Sequence, residues 1–205
     1  MNNIVNNISK EDFCKADDLL REKDHAIRIA LSAENAYYHG VQESYPYISF
    51  SNPEILWQLF DALSQHFGGK EKVRFIDVGC GTGRIVKLAR IYGLGKVHGL
   101  EFHKPYVDKG IKEFGLSLED FTVGDAFDTT PEFLDRFNCI YTYMPIHDRK
   151  KMGFLALHLA SNSVWNTVHV EMLPDYFPVC NFDYTAAGRI LGEDLGVVSY
   201  RSAHY

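Results

Sequence analysis

A chain of 205 residues is long enough for one domain with an extension, and a hydrophobic fraction of 46% supplies a sizeable core. A formal net charge of −6 excludes a broad electrostatic grip on nucleic acid, though not a local basic patch. No apolar run approaches the roughly 20 residues needed to span a bilayer, and the polar start MNNIVNNISKED has neither the basic nor the apolar region of a signal peptide. Cys14, Cys80, Cys139 and Cys180 form no C-x-x-C pair, so a soluble protein in a reducing, cytoplasmic compartment is expected.

Residues 1 to about 44 read as helical and mostly polar. Ser9 followed by Asp12 has the form of an N-cap with an acidic first turn. Phe13, Ala16, Leu19 and Leu20 recur at helical spacing, as do Ile27, Ala30, Leu31 and Ala33. A pair of helices packed on the core or on another subunit is expected; the alternative is a cap that shapes an acceptor site. The segment YPYISFSNP (residues 45–53) is aromatic and twice broken by proline, which favours an extended path. Asn52 and Pro53 then have the chemistry of an N-cap and a first helical residue. The helix they open turns Ile55, Leu56, Leu59, Phe60 and Leu63 inward and ends near Gly68 and Gly69.

The centre of the chain is the segment FIDVGCGTGRIVKLA, residues 75–89. A short apolar run from Val73 ends at Asp77 and Val78, glycines follow at 79, 81 and 83, and the pattern then turns helical through Tyr92. A strand, a glycine turn and a helix open a nucleotide-binding βαβ unit, in which the backbone approaches a ligand at the helix N-terminus. The dinucleotide fingerprint requires Gly or Ala at position 84, which is Arg here, and Asp77 at the strand tip would repel a pyrophosphate. The same carboxylate suits a ligand that carries an ammonium group and no phosphate. S-adenosylmethionine has those properties.

The D-V-G-C-G-T-G segment resembles motif I of the class I S-adenosylmethionine-dependent methyltransferases. That resemblance covers roughly residues 71 to 171 and implies a Rossmann-like, doubly wound, mostly parallel α/β sheet. Residues 71–205 would form the cofactor-binding domain. Residues 1–70 would form a helical extension in which 45–67 is similar to the cofactor lid of several protein-lysine methyltransferases. In motif I the resemblance implies Asp77, Gly79, Gly81 and Gly83 as cofactor-binding residues.

Further along, Lys96 to Leu100 reads as the second strand, ending in Glu101. A carboxylate about 20 residues past the glycine loop can accept from ribose hydroxyls, the role the family implies for Glu101. Phe102 follows at the same rim and could lie against adenine. His98 reads as a hydrogen-bonded core residue. After a helix from Pro105 to Phe114, a third strand runs into Gly124-Asp125-Ala126. This segment resembles the family's adenine-binding loop, with Asp125 accepting from the exocyclic amine. Thr130-Pro131 opens a short helix.

The fourth strand, Phe137 to Tyr143, ends in Met144-Pro145-Ile146-His147-Asp148. Some amine methyltransferases carry Asn/Asp-Pro-Pro-Tyr/Phe at this place. Here one proline remains and the Asn/Asp is lost, which leaves the acceptor open. Tyr141 and Tyr143 share a face, and Tyr143 at the tip is the candidate for lining the reaction centre. His147 and Asp148 are a candidate acid–base pair, with Asp148 as an N-cap of the following helix the competing reading. The fifth strand spans Val164 to Glu171. The remaining tail is too short for a full closing hairpin, so an abbreviated edge ending near Gly196–Tyr200, covered by another subunit, is expected.

The sequence therefore points to methyl transfer from S-adenosylmethionine by in-line displacement. A protein nitrogen is the first acceptor and a small molecule the second, with no metal, membrane or extended nucleic-acid surface. A non-catalytic S-adenosylmethionine-binding protein and a nicotinamide-dependent oxidoreductase with a degenerate glycine loop are the alternatives.

Overall fold

The computed structural model describes residues 8–35, 52–143, 145–146, 148–164, 167–172 and 197–201. Its strands are β1 (Arg74–Val78), β2 (Lys96–Glu101), β3 (Phe121–Val123), β4 (Cys139–Tyr143), β5 (Val168–Met172) and β6 (Val197–Arg201). They form one sheet in the order β3-β2-β1-β4-β5-β6. Every pairing is parallel except that of β6 with β5. The chain winds outward from β1 to β3, then returns across β1 to build the other half. The β1/β4 boundary is therefore the topological switch point, where doubly wound sheets bind their ligands. This is the Rossmann-like sheet expected, with a single antiparallel strand as its short edge.

The helices are α1 (Lys10–Asn35), α2 (Pro53–Phe67), α3 (Arg84–Tyr92), α4 (Lys104–Phe114), α5 (Pro131–Leu134) and α6 (Arg149–Asn162). Local chemistry sets most of their ends. The Asn52 side chain accepts from the Glu54 N–H at 2.9 Å to start α2, and Thr130 does the same for Phe133 ahead of α5. No helix among the described residues is long and apolar enough to cross a membrane.

Strand alternation divides the core into two layers. Phe75, Tyr141, Val168 and Val170 pack with α1 to α4 on one face. Ile76, Val78, Ile140, Leu155 and Leu159 pack with α5 and α6 on the other. Asp77 follows Phe75 and Ile76 in β1, so it shares the face that carries α1 to α4.

The N-terminal extension departs from the expected pair of helices: α1 is one uninterrupted helix of 26 residues. Its buried stripe is Phe13, Asp17, Leu20, Asp24, Ile27 and Leu31, at steps of four and three. Phe13 meets Trp57, Phe60 and Tyr92 edge-on at centroid distances of 5.4, 6.0 and 6.2 Å, which ties α1 to α2 and α3. The two aspartates are at most 1% exposed, and a carboxylate so buried needs partners. Asp17 pairs with Arg84 at the start of α3 and with Arg21 at 2.7 Å. Asp24 accepts from the Thr82 hydroxyl and from Arg28 Nε. The extension is thus fastened to the glycine loop and to the first turn of α3.

Asp17→Ala would leave the buried Arg84 guanidinium without this partner, and should lower the free energy of unfolding in urea by about 3–5 kcal/mol. Leu19→Ser, on the outer face of the same helix, should change it by less than about 0.5 kcal/mol.

Candidate functional site

The site forms where β1 and β2 end side by side. Asp77 lies opposite Gly99 of β2 and Tyr141 of β4 in the strand register. Glu101, two residues beyond Gly99, projects from the same face. Its two oxygens are engaged separately: one accepts from the Gly81 N–H at 2.8 Å, the other from the His103 N–H at 2.8 Å. Each oxygen keeps a second lone pair for another donor. One carboxylate therefore holds the glycine loop against the tip of β2.

The rest of the loop is closed on itself. The N–H groups of Gly79 and Cys80 both donate to the Leu100 carbonyl, at 2.8 and 3.1 Å, and the Gly83 N–H donates to the Cys80 carbonyl at 2.9 Å. A phosphate-binding loop works by aiming free N–H groups at the anion. Here those at 79, 80, 81 and 83 have internal acceptors, and Asp17 and Asp24 stand against the start of α3. The position of Gly83, whose missing Cβ leaves room for the Phe121 ring, anchors the turn.

Asp77 is 3% exposed. Burial raises its pKa to about 8, the neighbouring Glu101 adds to the rise, and Arg84 and Arg28 oppose it. A group so placed is protonated at neutral pH unless a cation comes close enough to hold it as an anion.

Two glycines admit neighbours that no side chain would allow. At Gly79, with φ of 79°, an added Cβ would lie 2.2 Å from Cβ of Pro145, so the segment after β4 rests on the first glycine. At Gly81, with φ of 58°, an added Cβ would lie 2.7 Å from Arg28 Nη2. The tip of β4 and the extension helix therefore approach the loop from two sides.

The remaining candidates fall into place unevenly. Phe102 is 63% exposed directly beside Glu101, and its ring meets that of His103 edge-on at a centroid distance of 5.1 Å. The Gly124 N–H donates to the Glu101 carbonyl at 2.9 Å, so Asp125 and Ala126 leave from the same rim. The Asp125 side chain accepts from the Phe127 N–H at 2.9 Å, capping its own turn. Tyr143 is half-buried at the tip of β4 and packs into the same apolar layer as Tyr141.

Asp148 has a structural role. It caps α6, accepting from the N–H groups of Lys150 and Lys151 at 2.8 and 3.1 Å. The Lys151 N–H above all holds its pKa below the ordinary carboxylate value. A carboxylate stabilised as an anion in a helix cap is a poor proton acceptor, so its described contacts favour the capping reading over the acid–base one. His147, the lid residues 45–51, Tyr176–Pro178 and Gly196 lie outside the described residues. His98 bonds Thr122 at 2.9 Å, and burial lowers its pKa to about 4, as a neutral core histidine requires.

Arg28 enters the site without having been singled out in the sequence, while Pro145, the one proline retained after the fourth strand, enters it by lying against Gly79. The signal for Arg28 was present in the stripe of α1, which places it beside Asp24, one turn away. Pro145 is marked by the glycine it covers, a relation only the fold reveals.

No family model matches the chain, and a search of curated proteins returns no match. Among solved structures the chain is similar to an RNA methyltransferase from Salinibacter ruber in complex with S-adenosyl-L-homocysteine. The identity is 21% over 70% of this chain and 88% of that one, at a TM-score of 0.44. It is also similar to S-adenosylmethionine-dependent methyltransferases from Thiobacillus denitrificans and Geobacter sulfurreducens, both in complex with S-adenosyl-L-homocysteine. The first shows 17% identity over 68% of this chain and 54% of that one, at a TM-score of 0.42. The second shows 18% over 63% and 51%, at 0.44. The chain spans about half the length of the last two. What the site binds is therefore read from this chain's own residues.

The raised pKa of Asp77 links folding to pH. In the ligand-free protein its contribution to stability is full below the ordinary value of 3.8 and is lost as pH rises through about 8. Asp77→Asn, neutral at every pH, should show a shallower fall in melting temperature across that window, measured by differential scanning fluorimetry in matched buffers.

Proposed function

We propose that the chain is an S-adenosylmethionine-dependent methyltransferase. The observation that carries this reading is the Glu101 bridge between the Gly81 and His103 N–H groups, beside the buried Asp77. It closes the glycine loop to a pyrophosphate and leaves two acids at adjacent strand tips. A nicotinamide dinucleotide would bring two phosphates to a loop with its N–H groups at 79, 80, 81 and 83 already bonded. A cationic, phosphate-free adenosine derivative suits the same residues. Asp77 would receive its ammonium, and Glu101 would use its remaining lone pairs on the ribose hydroxyls. Phe102, with Ala126 and Asp125 along the rim, would receive the adenine.

When bound, the cofactor supplies a sulfonium methyl open to in-line displacement by a nucleophile. The chain's part is positioning. Pro145 on Gly79 and Tyr143 at the end of β4 bring the strand-four tip to the methionyl side of the site, where an acceptor nitrogen would be aligned and water kept out. No general base is required for a neutral amine, which fits the capping role of Asp148. A nitrogen of a protein side chain is the first acceptor proposed and a small molecule the second. The support for the first is the similarity of residues 45–67 to a lysine methyltransferase lid, together with the acidic net charge.

Calorimetric titration with S-adenosylmethionine, S-adenosylhomocysteine and NAD tests the reading directly. Binding of the first two and not the third is expected; binding of NAD alone would overturn it. Asp77→Ala and Glu101→Ala should each weaken binding by about 1–3 kcal/mol, the cost of a charge-assisted hydrogen bond. Tyr143→Ala should lower turnover, followed as S-adenosylhomocysteine formed in cell extract, more than it lowers cofactor affinity. Binding with no turnover in any extract would identify a sensor of the cofactor instead of an enzyme.

A further inference from the structure

The site as described is one-sided in charge. Asp77, Glu101 and Asp125 are all acids, yet an α-amino acid group carries a carboxylate on the same carbon as its ammonium. That carboxylate would meet repulsion from the three acids, and a cation near the glycine loop would balance it. The basic groups there differ sharply in availability. Arg84 is buried on Asp17. Arg21 is drawn to the same aspartate. Arg28 differs from both. Its Nε donates to both oxygens of Asp24, at 3.1 and 3.0 Å, and its guanidinium lies over the Tyr106 ring, 5.5 Å from the centroid. The hydrogen bonds of the described residues thus hold this side chain by Nε, while Nη2 reaches the open face of Gly81. A quarter of the side chain remains exposed. The head group is fixed in orientation by an acid behind it and an aromatic ring beside it, with its outer nitrogens at the loop.

We propose that Arg28, contributed by the N-terminal helix, is the receptor for the carboxylate of the cofactor's amino-acid group. The inference rests on the cofactor reading above and adds to it a specificity: the site selects a zwitterionic amino-acid tail, with Asp77 on its ammonium and Arg28 on its carboxylate. Arginine suits this task because its planar fork can give two parallel N–H bonds to a carboxylate. The glycine at 81 acquires a second reason, since any side chain there would displace the guanidinium. The extension helix then completes the binding site itself as well as supporting the fold.

The test compares S-adenosylmethionine with its decarboxylated form, which keeps the sulfonium, the amine and the adenosine and lacks only the carboxylate. Both are titrated calorimetrically into the wild-type protein, Arg28→Met and Arg28→Lys, with melting temperatures as the control for folding. The wild type should bind the carboxylated ligand at least roughly tenfold more tightly, as expected for a charge-assisted pair. Arg28→Met should abolish that preference by weakening S-adenosylmethionine alone, and Arg28→Lys should restore part of it. Equal weakening of both ligands by Arg28→Met would mean that Arg28 acts only by seating α1, and would overturn the proposal. So would a wild-type protein that binds the two forms equally, a comparison that needs no variant to fold. Failure of the wild type to bind either ligand would instead overturn the cofactor reading on which the proposal rests.

Discussion

Two carboxylates buried where a helix should be apolar hold this structure together. Asp17 and Asp24 lie seven residues apart, on either side of Leu20, in the stripe by which α1 meets the rest of the domain. A buried pair gains little net stability over a well-packed apolar one, but removing one partner is costly, so its main effect is to fix register. Arg84 and Thr82 are the partners, and both belong to the turn that leads out of β1. The extension can therefore dock in one alignment only. That alignment brings Arg28 to Gly81 and Phe13 into the ring cluster with Trp57 and Tyr92. The geometry of the loop, the placement of the helix and the charge at the site follow from the same few contacts.

The glycine loop shows how a common architecture is given a particular chemistry. A strand, a turn and a helix would by themselves offer free N–H groups and a positive helix end, an arrangement suited to phosphate. In this chain a single glutamate at the tip of the next strand takes one of those groups, the Leu100 carbonyl takes two more, and acids from α1 face the helix start. Those N–H groups are thereby withdrawn from any anion. Asp77 registers the change: burial and Glu101 together make it reluctant to ionise, and Arg84 and Arg28 only partly oppose the rise.

Much of this was legible in the sequence, for identifiable reasons. The helix ends were marked by side chains whose capping chemistry is local, such as Asn52 with Pro53 and Thr130 with Pro131. The strands of the βαβ core were marked by apolar runs that end in acids, and the two that carry Asp77 and Glu101 pair as parallel neighbours. The extension was less readable. Counting only apolar residues splits α1 into two groups and suggests two helices, because the aspartates that continue the stripe resemble solvent-facing positions. Their burial depends on Arg84 and Thr82, more than fifty residues away, and no local pattern announces such a partner. Asp148 shows the opposite difficulty. Its composition with His147 suggested proton transfer, while its place just before a helix already supplied a sufficient reason for a carboxylate.

The sequence distance of those buried pairs also bears on how the protein is made. The bonds from Asp17 to Arg84 and from Asp24 to Thr82 span 67 and 58 residues. During synthesis α1 emerges long before the turn that will neutralise its acids, so it has no stable seat until β1 and the start of α3 have followed. Contacts between residues so far apart carry a loop-closure cost that must be met before they can hold the helix. The seating of α1, and with it the assembly of the site, is in this sense tied to the turn that follows β1.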